Sequence, residues 1–339
     1  MQNAVITAVG HYVPERVVTN QDLEKLMDTS DAWITERSGI KERRHAEPGT
    51  RTSDLALSAI RNMMSRAGIE KLDVDLIIAA TLSPDYYFPG IGVLIQQGLG
   101  LPTIPALDIR AQCCGFVYGL ATANAFIRSG QAARILLVCA EVQSPVLDFS
   151  DRGRDLAVLF GDGAGAVLID AATAKDAATF QNGERGVIDS ILGGDGSGAE
   201  VLMMREPGSA TAGFFQQNRP PGELPRPQMD GRTVFKNAVA RMSATVTDLL
   251  KRNGLTAADI KMVFPHQANL RINEMIRKVL DLPEAKVFNN IQKYGNTTSA
   301  TIPLALSEAA AAGVVQPGDL VVTVAFGAGF TWGANLIRW

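Results

Sequence analysis

The sequence has few cysteines, few histidines and no long apolar run. Only three Cys and three His occur among 339 residues. Two cysteines, Cys113 and Cys114, are adjacent, so a disulfide framework is excluded. No spacing among His, Cys and acidic residues predicts a metal site. No apolar run reaches the roughly 18 residues that a membrane span needs, and the first residues do not form a secretory signal. We therefore expect a cytoplasmic protein without membrane contact.

The chain also lacks an excess of charge of either sign. It has 32 Lys+Arg against 35 Asp+Glu, which gives a formal net charge of -3 and no basic surface for nucleic acid. Hydrophobic residues make up 46% and charged residues 20%, as in globular proteins. The length exceeds the roughly 250–300 residues at which a single core stops growing, so two domains or two fused halves are expected.

An internal duplication is present. Residues 63–78 (MMSRAGIEKLDVDLII) and 249–264 (LLKRNGLTAADIKMVF) align without a gap, which matches Gly68 with Gly254. Each segment predicts a helix, a glycine stop, a short turn and a buried strand. The parallel continues at 99–102 (LGLP) and 280–283 (LDLP).

The rest of both halves follows the same order. Short strands are predicted at 106–109 and 286–289, helices at 116–128 and 300–311, then a buried strand and a Gly-rich turn in each half. This alternation predicts an α/β protein with halves 1–173 and 174–339. Two unrelated α/β domains remain the alternative.

Residues 193–231 break this pattern, because they hold five of the sixteen prolines and show no period. We predict a long irregular insertion there. The helix that follows is predicted by an apolar stripe with spacings of 4, 3, 4 and 3. Its members are Phe235, Val239, Met242, Val246 and Leu249.

Cys113 is the candidate nucleophile. A strand is predicted to end near Ile109 and a helix to begin near Gly115, so the positive end of the helix dipole would favour a Cys113 thiolate. The alternative is a small buried residue in a tight turn, which fits Cys139 inside the strand ILLVCAE.

Two further polar residues follow predicted strands. His266, in VFPHQANLR, comes just after the strand KMVF, a common active-site position in α/β folds. Asn296, in KYGNTTSATIP, lies in the second half's counterpart of the Cys113 region. A structural histidine and a helix-capping asparagine are the alternatives.

Two Gly-rich stretches have different meanings. FGDGAGA at 160–166 lacks the GxGxxG spacing and precedes a strand, so dinucleotide binding is rejected. GAGF at 327–330 could place backbone N–H groups at a reacting oxygen, as an oxyanion hole requires.

Together these stretches resemble the thiolase-fold condensing enzymes, most closely the β-ketoacyl-acyl-carrier-protein synthase III family. The resemblance runs along most of the chain and implies a five-layered αβαβα fold. The matching stretches are TSDAWITERSGIKERR (29–44), SPDYYFP (83–89), CCGFVYGL (113–120), DRGRDLAVLFGDGAGA (151–166), PHQANLR (265–271), YGNTTSA (294–300) and FGAGFTWG (326–333).

The resemblance assigns roles to individual residues. The nucleophile is Cys113 rather than Cys114, its partners are His266 and Asn296, and the N–H groups of Cys113 and Ala328 form the oxyanion hole. Phe88 would reach the partner subunit's acyl pocket in a homodimer. The implied substrate-binding residues are Thr29, Trp33, Arg37, Arg154, Gly231, Phe235, Ala268 and Asn269, and Arg271 would dock a carrier protein.

Two departures from the family pattern bear on the substrate. Two extra residues near Asp151 leave either Arg152 or Arg154 to stack on coenzyme A, and counting back from FGDGAGA favours Arg154. The insertion at 193–231 is longer than in short-chain enzymes, so acyl preference is open. The stretches SPDYYFP, DIRAQC and DRGRDL also resemble the anthraniloyl-accepting condensing enzymes of quinolone biosynthesis.

The implied activity is a decarboxylative Claisen condensation of an acyl-CoA primer with a malonyl thioester, carried by acyl carrier protein or coenzyme A, which initiates fatty-acid synthesis. It requires no metal or redox cofactor, and it requires a neutral His266 with its proton on Nε2. The alternatives are a secondary-metabolism enzyme that takes a longer or aromatic acyl group, an acyl-CoA thiol hydrolase and a non-catalytic partner subunit. A degradative thiolase is disfavoured, because 326–333 contains no second cysteine.

Overall fold

The computed structural model describes residues 2–172, 185–205, 208–209 and 227–339. The predicted boundary at 173/174 and about half of the insertion, 206–207 and 210–226, lie outside the described residues. Within the described part, no helix is long and apolar enough to cross a membrane.

The described residues of the first half form seven strands and six α-helices. In chain order they are β1 (Ala4–Tyr12), β2 (Val17–Thr19), α1 (Asn20–Glu24), α2 (Asp31–Ser38), β3 (Glu42–Arg44), α3 (Thr52–Ala67), β4 (Leu76–Ala80), α4 (Ile91–Leu99), β5 (Ala106–Ile109), α5 (Gly115–Arg128), β6 (Arg134–Glu141), α6 (Arg154–Ala157) and β7 (Gly163–Ala171).

The described part of the second half follows a similar order. Its elements are β8 (Gly186–Gly194), β9 (Leu202–Met203), β10 (Gln228–Met229), α7 (Gly231–Arg252), β11 (Met262–Pro265), α8 (Leu270–Val279), α9 (Ile291–Tyr294), α10 (Thr301–Ala311), β12 (Leu320–Gly327) and β13 (Thr331–Arg338).

Two sheets with matching topology confirm the duplication. The first has the order β1-β7-β6-β4-β5, and the second has the order β8-β13-β12-β11. In each sheet the first two pairings are antiparallel and the next is parallel. Leu76 of β4 lies opposite Ile135 of β6, and Met262 of β11 lies opposite Val321 of β12 in the same register.

The helices and sheets form the five layers αβαβα. Helices α3 and α4 cover the outer face of the first sheet, and α7 and α8 cover the second. Helices α5 and α10 lie between the sheets. Successive residues of β4 alternate between the two faces: Ile77 and Ala79 pack on the outer helices, whereas Ile78 packs on the inner pair. Both faces are apolar because both are covered.

The helix stops of the two halves also correspond. Gly68 and Gly254, which the alignment matched, both have a φ of +67°, the left-handed conformation that glycine adopts without steric cost. Gly100 has a φ of +63°, and Asp281 in the matching LDLP segment has a φ of +51°. The left-handed backbone conformation at the helix end is thus present in both halves, even where aspartate replaces glycine.

The predicted strand at 286–289 is wrong. Glu284–Lys286 form a 3-10 turn, and only an isolated bridge from Val287 to Val263 extends the second sheet. The asparagines that follow bind side chains instead of a neighbouring strand. Asn289 accepts from Asn273, and the Asn290 N–H donates to Gln267.

Part of the insertion has regular structure where it is described. Strand β8 runs through Gly194, and β9 pairs with β10 as a two-residue antiparallel ladder. Helix α7 begins directly afterwards and buries Met242, Val246 and Leu249, so the predicted apolar stripe is confirmed.

Candidate active site

A cavity of about 530 Å³ lies between the two halves and is lined by Cys113, His266 and Asn296. Cys113 follows β5 and His266 follows β11, whereas Asn296 lies between the short helix α9 and α10. Asn296 also forms a bridge with Phe160 of the first half. The fold therefore brings the three candidate catalytic residues to one cavity.

Cys113 lies in a 3-10 turn, Gln112–Cys114, immediately before α5. Gln112 has a φ of +45°, and Cys113 remains partly exposed to the cavity. Cys114 is buried and directs its Sγ at the Thr331 carbonyl oxygen, 3.3 Å away. The turn thus presents the first cysteine of the pair to the cavity and buries the second.

Burial opposes the thiolate that the sequence predicts at Cys113. Burial and the nearby Glu141 carboxylate raise the pKa of Cys113 to about 12, against a smaller opposing effect of its own backbone N–H. Helix α5 offers only a partial positive charge in return. The Cys113 thiol is therefore protonated at rest, and its attack requires a base.

His266 is buried, and its ring is held from one side. Its Nδ1 lies 2.7 Å from Thr301 Oγ1, and its backbone N–H donates to Val324 O at 2.8 Å. Its Nε2 has no partner among the described residues. Burial lowers the pKa of His266 to about 3, so the imidazole is neutral.

Asn296 is oriented by its own loop. Its Oδ1 accepts from the Thr298 N–H at 2.8 Å, and its side chain is almost fully buried at the cavity wall. With the oxygen engaged, the Nδ2 group is the end available to donate. Asn296 is thus suited to stabilise negative charge on a ligand oxygen.

The Gly-rich turn after β12 passes close to the nucleophile. A Cβ added to Gly327 would lie 3.0 Å from Cys113 Cβ, so only glycine allows this approach. Ala328, the predicted oxyanion donor, follows directly and does not line the cavity through its side chain. Its oxyanion role stays a prediction.

Three cationic and aromatic residues form one wall. The Arg37 guanidinium lies 4.3 Å from the Trp33 ring centroid, and that of Arg154 lies 4.9 Å from it. Arg154 lines the cavity, whereas Arg152 pairs with Asp148 and does not. This placement favours Arg154 for the stacking role.

The remaining predicted substrate-binding residues divide into two groups. Gly231, Phe235, Ala268 and Asn269 line the cavity. Thr29 does not line it, and its buried Oγ1 has no partner among the described residues. Phe88 lies outside this cavity and is 79% exposed, beside the exposed rings of Tyr86 and Tyr87.

Arg271 lies in a neighbouring groove rather than in the cavity. The groove has a volume of about 390 Å³, and it shares Phe235 with the cavity. The Arg271 guanidinium lies 5.7 Å from the Phe235 ring centroid. Lys278 also lines this groove, and so do Glu36 and Glu274, so its lining carries two positive and two negative side chains.

Sequence reasoning missed several contributors to the site. Leu202 and Met229 line the cavity from the short β9–β10 ladder, inside a segment whose sequence has no period. Thr301, which contacts His266, reads in the sequence as an ordinary residue at a helix start. Glu141 reads as the end of a strand, although it is fully buried near the nucleophile.

Glu141 is held by hydrogen bonds rather than by a cation. Its carboxylate accepts from Thr81, Ser83 and Ser299 hydroxyls at 3.2, 2.7 and 2.6 Å. It also accepts from Gln143 Nε2 and the Leu82 N–H. Burial nevertheless raises its pKa. These bonds join the loop after β4 to the start of α10 beneath Cys113.

The layered fold and a Cys-His-Asn set in an apolar cavity define a thiol-dependent condensing enzyme of the thiolase fold. The family models of 3-oxoacyl-[acyl-carrier-protein] synthase III match residues 107–186 and, for its C-terminal part, 250–339. The chain is 43% identical to the β-ketoacyl-[acyl-carrier-protein] synthase III of Caldanaerobacter subterraneus, over 99% of this chain and 98% of that one. The chain belongs to this family.

Solved structures agree with this assignment. The 3-oxoacyl-[acyl-carrier-protein] synthase III of Aquifex aeolicus has a TM-score of 0.88 and 39% identity, over 99% of this chain and 100% of that one. The priming β-ketosynthase of the R1128 polyketide pathway has a TM-score of 0.88 and 31% identity, over 99% and 96%.

Proposed function

We propose that the protein is a β-ketoacyl-acyl-carrier-protein synthase III, which condenses an acyl-CoA primer with a malonyl thioester and thereby initiates fatty-acid synthesis. The convergence of Cys113, His266 and Asn296 on one cavity carries this proposal. The family relatives with the same activity in their names support it.

In the first step Cys113 Sγ attacks the thioester carbonyl of the acyl-CoA, and coenzyme A leaves with the proton that Cys113 gave up. The N–H groups of Cys113 and Ala328 would stabilise the oxyanion, where one such donor is typically worth about 3 to 4 kcal/mol. Trp33, Arg37 and Arg154 form the wall that would hold the nucleotide end of coenzyme A.

In the second step a malonyl thioester enters the acyl-enzyme and loses CO2. Asn296 and His266 would donate hydrogen bonds to the enolate oxygen, and the enolate carbon attacks the acyl group on Cys113. No metal or redox cofactor takes part in either step as proposed. The products are the β-ketoacyl thioester, CO2 and free Cys113.

The carrier protein of the malonyl group would dock beside the cavity mouth. The resemblance that assigns docking to Arg271 supports this, and Arg271 lines a groove that adjoins the cavity at Phe235. We expect R271E to raise the KM for malonyl-carrier protein and to leave the KM for acyl-CoA unchanged. An equal rise in both values would argue against docking at this groove.

We also propose a homodimer in the cytoplasm. The run of exposed rings at Tyr86, Tyr87 and Phe88 supports the dimer, since contiguous apolar surface of this kind is typical of an interface. Sedimentation velocity should show a dimer. A monomer at micromolar concentration would contradict this proposal.

Intact-protein mass spectrometry with a panel of acyl-CoA thioesters tests the function. One acyl group should add to the wild type and none to C113A. N296A should acylate normally but fail to release CO2 from a malonyl thioester. Normal condensation by N296A would refute the role assigned to Asn296, and an adduct on C113A would refute the nucleophile.

A second candidate is priming in secondary metabolism. The 31% identity to the R1128 priming ketosynthase over nearly the whole chain favours it. The panel therefore includes acetyl, isobutyryl, octanoyl, dodecanoyl and anthraniloyl thioesters. Fastest labelling by acetyl or isobutyryl supports fatty-acid initiation, and fastest labelling by anthraniloyl supports the second candidate.

A further inference from the structure

The contact between His266 and Thr301 has a consequence for the protonation of the imidazole. The Thr301 hydroxyl takes part in two hydrogen bonds, both inside the protein. One joins Thr301 Oγ1 to His266 Nδ1 at 2.7 Å, and the other joins it to the Thr298 carbonyl oxygen at 3.1 Å. All three residues are at most 2% exposed, so water does not compete for these bonds.

The directions of the two bonds are coupled, because Thr301 can donate in only one of them. A carbonyl oxygen only accepts, and a hydroxyl has a single hydrogen to donate. When Thr301 donates to the Thr298 carbonyl, its oxygen must accept the second bond, so His266 Nδ1 carries the hydrogen. A neutral imidazole has one N–H, and Nε2 is then left with a lone pair.

We propose that Thr301 is a positioning residue that holds His266 in the Nδ1–H tautomer, so that Nε2 begins the acylation step as a proton acceptor. The sequence-based expectation concerned the later step, in which a proton on Nε2 donates to the enolate oxygen. The proposal deepens the proposed function and rests on it for the acylation step.

The protonated state of the Cys113 thiol supports the Nδ1–H tautomer of His266. Because burial and Glu141 keep Cys113 protonated, its attack on a thioester needs an acceptor for the thiol proton. His266 and Cys113 line the same cavity, and Nε2 has no other partner among the described residues. The proton passes from Sγ to Nε2 as the new S–C bond forms, and then to the coenzyme A sulfur as the old S–C bond breaks. His266 returns to its starting state.

The same hydroxyl also allows the other tautomer. If Thr301 rotates its hydrogen from the Thr298 carbonyl to His266 Nδ1, the ring proton must sit on Nε2, where it can donate to an enolate oxygen. Serine keeps this ability, whereas valine, with nearly the same shape, supports neither tautomer by a hydrogen bond.

The tautomer can be measured directly in the wild-type protein. The chain has three histidines, so selective 15N-histidine labelling gives at most three ring systems, and H266Q assigns that of His266. Long-range 1H–15N correlation at neutral pH should show His266 protonated on Nδ1. Protonation on Nε2 in the resting wild type would overturn the proposal, whatever the protein's activity.

Variants then link the tautomer to the acylation rate. T301V should slow single-turnover acylation by about 100-fold, the lower range of general-base effects, and T301S should restore it to within about threefold. T245V is the matched control, because Thr245 is also buried in a helix and donates to a carbonyl, that of Arg241 at 2.7 Å, away from the cavity. Melting temperatures establish that the variants fold.

The outcomes separate the two proposals. Equal slowing by T301V and T245V would show a merely structural role for Thr301. A wild type that forms no acyl adduct would remove the proposed function, while the NMR result would still report whether Thr301 sets the tautomer.

Discussion

The pair Arg152 and Arg154 offers a sharp test of where coenzyme A binds. The two arginines are two residues apart, Arg152 in the loop before α6 and Arg154 at the start of α6, and removing either changes the net charge equally. Arg154 lines the cavity and lies 4.9 Å from the Trp33 ring centroid, whereas Arg152 pairs with Asp148 outside it. We therefore expect R154A, and not R152A, to weaken coenzyme A binding.

The expected rise in Kd follows from the loss of the stacking contact that Arg154 would make with coenzyme A. A guanidinium stacked on an aromatic ring contributes about 0.5 to 1 kcal/mol when exposed and about 2 when desolvated. The Arg154 side chain is 32% exposed, which places it between these limits. A loss of about 1 to 2 kcal/mol corresponds to a rise of about 5- to 30-fold in Kd.

Isothermal titration calorimetry with coenzyme A would measure this Kd for the wild type, R154A and R152A. R152A should stay within about twofold of the wild type, since exposed ion pairs contribute little. Melting temperatures control for the lost bond from Arg154 Nη1 to the Asp28 carbonyl oxygen, 2.5 Å long. A larger rise in Kd for R152A than for R154A would refute the reasoning.

Three further predictions concern the buried groups and the backbone. E141Q should speed the alkylation of Cys113 by iodoacetamide at pH 8, because removing the Glu141 carboxylate lowers the pKa of the Cys113 thiol. An unchanged alkylation rate would exclude this electrostatic effect. The free energy of unfolding should fall as the pH drops below about 6.5, because the pKa of His266 is depressed in the folded state and the unfolded chain takes up the proton first. His266 contributes at most about 1.4 kcal/mol per pH unit to this fall. Urea unfolding between pH 4 and 7 should show that the free energy of unfolding depends less steeply on pH in H266Q than in the wild type. G254A should lower the free energy of unfolding by about 1 to 2 kcal/mol, because an added Cβ meets no atom within 4 Å but the φ of +67° disfavours alanine, and an unchanged value would contradict this.

The order of elements was predictable because the duplication repeats a strong pattern. Buried strands rich in Val, Ile and Leu and glycine stops such as Gly68 and Gly254 are encoded locally. The strand at 286–289 was mispredicted because its pairing depends on tertiary partners. The bonds of Asn289 to Asn273 and of Asn290 to Gln267 cannot be read from local sequence.

The site was predictable to the extent that Cys113 and His266 follow strand ends and that Asn296 lies in the corresponding turn before α10. Cys113, His266 and Asn296 could be identified from position and motif, but their protonation could not. The pKa of Cys113 depends on Glu141, which is distant in sequence, and the His266 tautomer depends on one hydroxyl of α10. Such properties follow from tertiary contacts between residues that are distant in sequence, which periodicity does not encode.

The duplication also shows how one of two equivalent sites became the active site. The strand registers and the matching 3-10 turns, Gln112–Cys114 and Thr298–Ala300, equate Cys113 with Ser299. They likewise equate Gly327, at the end of β12, with Glu141, at the end of β6.

At these equivalent positions the two sites differ in whether space is left for a substrate. Gly327 leaves the space above Cys113 open, whereas the Glu141 side chain fills the equivalent space and binds Ser299. The same correspondence equates His266 with Ala80 and Thr301 with Gly115, and a Cβ on Gly115 would lie 2.9 Å from that of Ala80. In the second half, α10 contacts the end of β11 through Thr301 and His266. In the first half, the equivalent contact joins two small residues, Gly115 and Ala80. Of the two equivalent sites, only the one with space for a substrate has a histidine with a hydroxyl partner. This is expected if Thr301 positions His266 and is not required for the stability of the fold.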